Sequence, residues 1–360
     1  MTVANRQSIS RAPTGSEEPL AQACPADGTP IGHSPDAAAT LRGLTETISG
    51  DGIGSEALAW ELRDAAERDL SLGRLLEGHA NALQLIRHYA DPQVASQRPG
   101  DAASGGLLGV WGADMPARPV SATPEGRLSG SKRFASGLGV LDKAIVTAGR
   151  GPELQLFLVD ASDPARHDHD SWDMAGMQAS CSGTFDCDGL VAEPIGGPGV
   201  YTVEPFFVGG TWRIAAVTLG GIVGLIEHAS RVLRERGQQD AEAQLTRLAP
   251  ISVRAVAAWP AILRAARFAS GPVGHAAPEK AAVLSVSCRL LTEELGQDAI
   301  AAVERSVGLS MFTTDDPTGR HARDLACYMR QATRDAFLLR AGRAYLGSGK
   351  PLREWLDDDL

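Results

Sequence analysis

The order of hydrophobic periods along the chain limits its fold more than any single motif does. From Ser55 to Ala90 apolar residues recur three and four positions apart, and Leu72, Leu75, Leu76, His79, Leu83 and Ile86 fall on one helix face. Asp91-Pro92 ends that pattern, because the residue before a proline is pushed out of helical geometry. Between 101 and 202 the helical period disappears. Short β-type runs such as KAIVTAG and LQLFLVD alternate with Gly- and Pro-rich turns, which predicts an antiparallel β unit. From Trp212 to Leu346 helical periodicity returns. The expected fold class is therefore mostly α with a central β domain: a short helical domain over 41–100, a β domain over 101–202 and a C-terminal four-helix bundle over 203–360. A doubly wound sheet would alternate strand and helix instead.

Within the bundle, WRIAAVTLGGIVGLIEHASRVLRER is apolar on most sides, so it should be buried among several neighbours, and this breadth also predicts a homodimer or homotetramer. Gly220-Gly221 permits close helix approach. Pro250 and Pro260 are expected to kink or divide the next helix. Residues 1–40 are rich in Ser, Pro, Ala, Gly and Thr and read as a disordered tail, since they bury too little apolar area to offset ordering entropy.

Composition narrows the function. A formal net charge of -10 argues against a nucleic-acid partner, whose binding surfaces are basic. The five cysteines are scattered without a C-x-x-C pair, which fits a reducing compartment with neither structural zinc nor disulfides. No apolar signal core and no run of about 18 apolar residues is present, so a cytoplasmic chain without a membrane span is expected. The loop Arg166-His-Asp-His-Asp170 resembles a metal site in composition only. It lacks a distant third ligand and reads as a solvated loop, so no metal is expected. Phosphate-loop, dinucleotide-fingerprint and nucleophile-elbow motifs are all missing.

Four blocks in order, spanning roughly residues 60–345, resemble the acyl-CoA dehydrogenase family. They are Glu67-Arg-Asp-Leu-Ser-Leu-Gly through His79; Leu128-Ser-Gly-Ser-Lys-Arg-Phe-Ala-Ser-Gly; Trp172 through Gly189, followed by Ile195-Gly-Gly-Pro-Gly; and His321-Ala-Arg-Asp-Leu-Ala-Cys-Tyr. The resemblance implies a β domain between two helical domains, with FAD held between the β domain and the C-terminal helices. By motif match Phe134 is a wall for the isoalloxazine and Ser136 a hydrogen-bond donor at its polar edge. Trp111 and Gly112 occupy a loop that meets flavin and substrate. Read as residue types alone, Phe134 and Trp111 are core aromatics. Arg236 and Gln244 resemble the family's arginine and glutamine at the flavin pyrophosphate, although Gly237-Gln-Gln-Asp-Ala-Glu-Ala lacks the family's Phe-Gly pair and is shorter. Gly308 matches a glycine loop that nears a neighbouring subunit's cofactor; it reads equally well as a helix C-cap.

The family's catalytic glutamate has no counterpart. Ala332 stands at its usual position, and Trp212 at the alternative one on the first long C-terminal helix. The backbone N–H of Ala332 could still polarise a carbonyl. Other candidates for a base are Glu77, His79, Glu204 and Asp335. Arg213, on an apolar run, requires an anionic partner from the protein or the substrate. The resemblance implies an FAD-dependent oxidoreductase acting on an acyl thioester of CoA or a carrier protein, or on a related carbonyl compound. Loss of the glutamate keeps two alternatives open: a flavin-dependent monooxygenase of the same fold, and a non-catalytic binding or assembly protein.

Overall fold

The computed structural model describes residues 29–49, 53–91, 106–330 and 333–356. Helices α1 (Pro35–Ser49), α2 (Ser55–Arg68) and α3 (Leu70–Tyr89) precede the strands. Asp69 separates α2 from α3 and caps the latter, its carboxylate accepting from Ser71 N at 2.8 Å and Leu72 N at 3.2 Å. Helix α1 begins at Pro35, inside the stretch read as a tail, and Ile31, Ala37 and Leu41 are buried. Residues 1–28 of that stretch lie outside the described residues. The tail reading missed this helix because its apolar positions are sparse and become useful only against α3.

After the β domain come α4 (Trp212–Glu235), α5 (Glu242–Ser270), α6 (Pro278–Val307), α7 (Pro317–Tyr328) and α8 (Arg334–Gly342). Helix α4 runs between α2 and α6. A Cβ added at Gly220 would sit 2.2 Å from the carbonyl oxygen of Arg63, and one at Gly224 would sit 2.3 Å from that of Glu67. Backbones of α2 and α4 therefore touch directly, which is why glycine stands there despite its helix cost of about 1 kcal/mol. Helix α5 is not divided: it runs through Pro250 and Pro260, both of which turn an exposed face to solvent while Ile251, Ala258 and Ile262 anchor the inner face. Helices α4 and α5 are long and apolar enough to cross a membrane by length and composition; 83% of that window is buried in α4 and 33% in α5.

Strands β1 (Leu108–Trp111), β5 (Lys143–Ala148), β6 (Gln155–Asp160) and β9 (Glu193–Ile195) form one sheet in the order β1-β5-β6-β9. A second sheet has β4 (Ser131–Ala135) and β7 (His167–Asp168) either side of β8 (Gly183–Asp186). The strands β2 (Ser121–Ala122) and β3 (Leu128–Ser129) pair alone. One pairing departs from the antiparallel expectation: β1 runs parallel to β5, with Leu108 opposite Lys143 and Trp111 opposite Val146. A parallel pair needs a long crossover, and β2 to β4 supply it. This arrangement brings the C-terminal end of β1 beside β4, facing α3.

Candidate functional site

A cavity of about 580 Å³ lies between α3, the ends of β1 and β4, the 172–182 loop, and the helices α6 and α7. Its helical wall is built on ion pairs. Arg213, only 3% exposed, enters from the first turn of α4 and donates Nε to Glu77 Oε1 at 3.5 Å and Nη2 to Asn81 Oδ1 at 2.8 Å; its Nη1 also donates to Gln84. Arg74, one turn before Glu77 on α3, donates to Glu77 Oε2 at 3.1 Å. The partner Arg213 needed is thus a protein carboxylate, and both oxygens of Glu77 are engaged. Glu77 is also the one carboxylate among the described residues lining this cavity.

The β wall is set by a buried lysine. Lys132, with no exposed side-chain surface, donates to Asp114 Oδ1 at 2.5 Å and to Thr147 Oγ1 at 2.8 Å; the Thr147 hydroxyl in turn donates to the Gly112 carbonyl at 3.1 Å. Burial depresses the lysine pKa while Asp114 counters it. The Gly112 backbone is fixed at the cavity edge by this network. Trp111 is core rather than cavity wall: it is 2% exposed, packs on Phe185 at 4.8 Å between centroids, and donates Nε1 to the Ser136 carbonyl at 3.0 Å. Phe134 does line the cavity and is 46% exposed. Its φ of 57° lies in the left-handed region, where a bulky residue is strained, and β4 and β8 shift register beside it. Such strain is expected where a ring is turned out of a strand for use. Trp172 stands edge-on to it at 6.0 Å, and the Arg133 guanidinium lies 4.7 Å from its centroid. Ser136 lines the cavity and accepts the Ser182 hydroxyl hydrogen at 3.0 Å, which leaves its own hydrogen for a ligand.

Helices α6 and α7 close the third side with Arg289 and Tyr328. Arg289 Nε and the Tyr328 hydroxyl are buried without a hydrogen-bond partner among the described residues. Burial raises the Tyr328 pKa, so the phenol is a neutral donor. Asp324, one turn earlier on α7, accepts from the Met177 amide at 2.5 Å and so locks the 172–182 loop, where Met177 has φ 58°, to the helix. Burial lifts the Asp324 pKa to about 6.

Other expected site residues lie elsewhere. His79 is fully buried and saturated: Nδ1 accepts from Leu108 N at 3.1 Å, and Nε2 meets Ser49 Oγ at 3.0 Å. Ser49 gives its own hydrogen to the Thr45 carbonyl, so Nε2 carries the proton and donates. Desolvation holds the imidazole down at about 4. It joins α1 and β1 to α3 and does not line the cavity. Arg236 and Gly308 do come together, but not at this cavity. Arg236 donates to the Val307 carbonyl and to Ser310 Oγ, each at 2.7 Å, and Gly308 ends α6 at φ 79°. Gln244 accepts from Arg247 at 3.4 Å on the same side. Trp212 is core; Glu204 accepts from Gly209 N at 2.9 Å and pairs with Arg340 at 3.0 Å; Asp335 is exposed in the first turn of α8. Ala332 lies outside the described residues. The 166–170 stretch, expected as a solvated loop, contains strand β7 paired with β8; Arg166 donates to the Asp186 and Asp188 carbonyls, and no metal-holding cluster occurs among the described residues.

Arg74, Arg289, Trp172 and Lys132 were not singled out from the sequence. Arg289 carried the same signal as Arg213, a lone arginine on an apolar helix (Leu284 to Leu290), and Arg74 stands three residues before Glu77 on one face.

Comparison with protein-family models gives no match, and comparison with curated proteins gives none. Solved structures do match. TdsC of Paenibacillus sp. A11-2, a dibenzothiophene monooxygenase solved with FMN and indole, is 18% identical with a TM-score of 0.74, covering 89% of this chain and 92% of its own. KijD3, solved with FMN and a dTDP-linked amino keto sugar, is 20% identical with a TM-score of 0.73 over 92% and 91%. Butyryl-CoA dehydrogenase of Megasphaera elsdenii is 16% identical with a TM-score of 0.72 over 88% and 90%. With helices, strands and helices in the same order over nine-tenths of each chain, this protein has the acyl-CoA dehydrogenase fold.

Proposed function

We propose that the cavity holds a flavin and that the protein is an oxygen-using flavin oxidoreductase of the monooxygenase type, not an acyl-thioester dehydrogenase. The observation that carries this reading is Glu77: the carboxylate in the cavity wall has both oxygens engaged by Arg74 and Arg213. Dehydrogenation next to a carbonyl needs a positioned base, worth about 10²–10⁴-fold in rate. Neither Ala332, at the family's usual glutamate position, nor Trp212, at the alternative one, offers a carboxylate.

The residues present fit a flavin. A volume of about 580 Å³ falls in the range of about 300–1,000 Å³ usual for cofactor and substrate sites. The exposed ring of Phe134 offers a flat apolar wall, and the Ser136 hydroxyl offers a donor beside it. When bound and reduced, such a flavin supplies the electrons that activate dioxygen. Phe134 and Trp172 would shield such a ring from water, and the Ser136 hydroxyl would be the donor to its polar edge. Arg236 gives both terminal nitrogens of its guanidinium to the turn after α6, which favours a mononucleotide over FAD. FMN delivered by a separate NAD(P)H-dependent reductase is the expected supply.

The test is a pair of assays on one preparation reconstituted with FMN. Oxygen uptake that requires an added flavin reductase and NADH, and that a substrate converts into oxygenated product, supports the reading. Rapid anaerobic bleaching by saturated acyl-CoAs would sink it in favour of the dehydrogenase. Failure to bind either FMN or FAD would leave the non-catalytic alternative.

A further inference from the structure

The helical wall of the cavity has more positive charge than its own carboxylate balances. Arg74, Arg289 and Arg330 line it, against Glu77 alone among the described residues. Arg213 stands behind and shares Glu77 with Arg74. Arg289 has no ion pair among the described residues. Its guanidinium lies 5.4 Å from the Phe337 ring centroid, and its Nε is buried without an acceptor. The Tyr328 hydroxyl, buried and equally unpartnered, is within electrostatic reach of Arg289 and Arg74.

Leaving these donors unsatisfied is costly: a buried polar group without a partner loses about 1–3 kcal/mol, and a charged one more. Folds keep such groups where something else completes them. Both side chains line one cavity from two different helices, and neither atom has a protein partner among the described residues.

Resting on the flavin reading above, we propose that Arg289 and Tyr328 form the anion-recognition end of the substrate site, and that the substrate carries a carboxylate. Turned toward the cavity that Arg289 lines, a guanidinium presents two parallel N–H groups, which match the two oxygens of a carboxylate. The Tyr328 hydroxyl adds a third donor. Arg74 contributes long-range attraction but already donates to Glu77. The uncharged part of the substrate then extends from the helices toward Phe134 and the 172–174 turn, where Trp172 and Met174 offer apolar contact. Arg289 thus orients the substrate relative to the ring wall without taking part in bond making.

Isothermal titration of the full chain, with and without FMN, uses three probes of one size: benzoate, phenyl phosphate and benzyl alcohol. Benzoate is expected to bind at least about tenfold more tightly than benzyl alcohol, a gap typical of one charge-assisted pair. R289M should abolish that preference while FMN fluorescence quenching stays as in the wild type. R289K keeps the charge but loses the fork, so it should fall between. Y328F should weaken benzoate several-fold and leave benzyl alcohol unchanged, a result that stands even if R289M fails to fold. Equal binding of benzoate and benzyl alcohol would overturn the proposal. So would displacement of benzoate by FMN, since the arginine would then serve the cofactor phosphate. Phenyl phosphate binding more than about tenfold tighter than benzoate would overturn the carboxylate assignment. A chain that binds benzoate in the Arg289-dependent way but no flavin would refute the proposed function and leave this anion site standing.

Discussion

Trp111 Nε1 donates to the carbonyl of Ser136 at 3.0 Å, so the end of β1 and the loop after β4 are held at a fixed separation. The indole looks from sequence like a ligand contact. It instead anchors the backbone of Ser136 from the core side, while Ser136 lines the cavity.

That division of labour gives the first prediction. Ser136→Ala should weaken FMN binding by about 1 kcal/mol, the scale of one hydrogen bond. Trp111→Phe keeps the aromatic volume but releases the carbonyl, and it should weaken FMN by a similar amount while also lowering thermal stability. Fluorescence titration together with thermal melts separates the two. Unchanged FMN affinity in Ser136→Ala would count against the flavin placement.

Breaking the pair between Arg213 and Glu77 should cost more. Arg213→Met leaves a carboxylate that is 6% exposed facing Arg74 alone, and loss of one partner from a buried ion pair typically costs about 3–5 kcal/mol. Adding Glu77→Gln removes the stranded charge and should recover a large part of that loss. Urea unfolding of the two variants decides it; a double variant less stable than Arg213→Met would contradict the pairing.

Stability should fall on mild acidification. His79, His228 and His321 are each held down at about 4 by desolvation, against an ordinary value of 6.5. The folded chain therefore binds fewer protons at these sites than the unfolded chain between pH 6.5 and 4, and their stabilisation is lost as pH drops through that window. Asp324 works in the opposite sense, because its pKa is raised from 3.8 to about 6 and folding there favours the protonated form as pH falls from 6 to 4. Desolvation also lowers His88 and raises Glu67, so four imidazoles stand against two carboxyls and the net is a loss. Chemical denaturation midpoints at pH 7, 6 and 5 should decline in order, and the decline should steepen in Asp324→Asn, which removes one opposing group. A flat profile would contradict the burial of these imidazoles.

Two glycine-to-alanine substitutions should move stability in opposite directions. At Gly220 the new methyl would meet the Arg63 carbonyl at 2.2 Å, so the helices must part; overpacking of this kind costs about 1–3 kcal/mol. At Gly43, exposed in the middle of α1 with nothing within 4 Å, alanine should stabilise by about 0.5–1 kcal/mol. Melting temperatures of the two single variants check both signs.

The architecture was legible in the sequence because two different hydrophobic periods mark it. The 3.6-residue pattern of Leu72 to Ile86 and of α4 gave helices, and the turn-broken runs between them gave strands. What pattern could not reveal was long-range pairing. The parallel contact of β1 with β5 depends on a crossover that no local signal encodes. Pro250 and Pro260 failed to divide α5 because their rings point to solvent and the inner face stays packed. In the site, Phe134 and Ser136 were found through motif order, and they do share a cavity. Arg236 and Gln244 were found the same way, yet neither lines this cavity: Arg236 bonds to the turn after α6 and Gln244 to Arg247, beside the segment that lacks the family's Phe-Gly. Arg289 shares with Arg213 the signal of a lone arginine on an apolar helix, and Tyr328 ends the fourth motif block, but that both have unmet hydrogen bonds beside one cavity is visible only after folding.

The direct backbone contact between α2 and α4 at Gly220 and Gly224 has a dynamic consequence. Segments touching through main-chain atoms cannot separate by side-chain rearrangement; they open together or not at all. Amides of the two helices should therefore exchange with solvent deuterium as one cooperative unit, at the slow end of the molecule. The 172–182 loop on the opposite wall is held to α7 in the same way, since a Cβ on Gly176 would meet the Arg323 carbonyl at 2.4 Å, and the Met177 amide on Asp324 adds a hydrogen bond beside that contact.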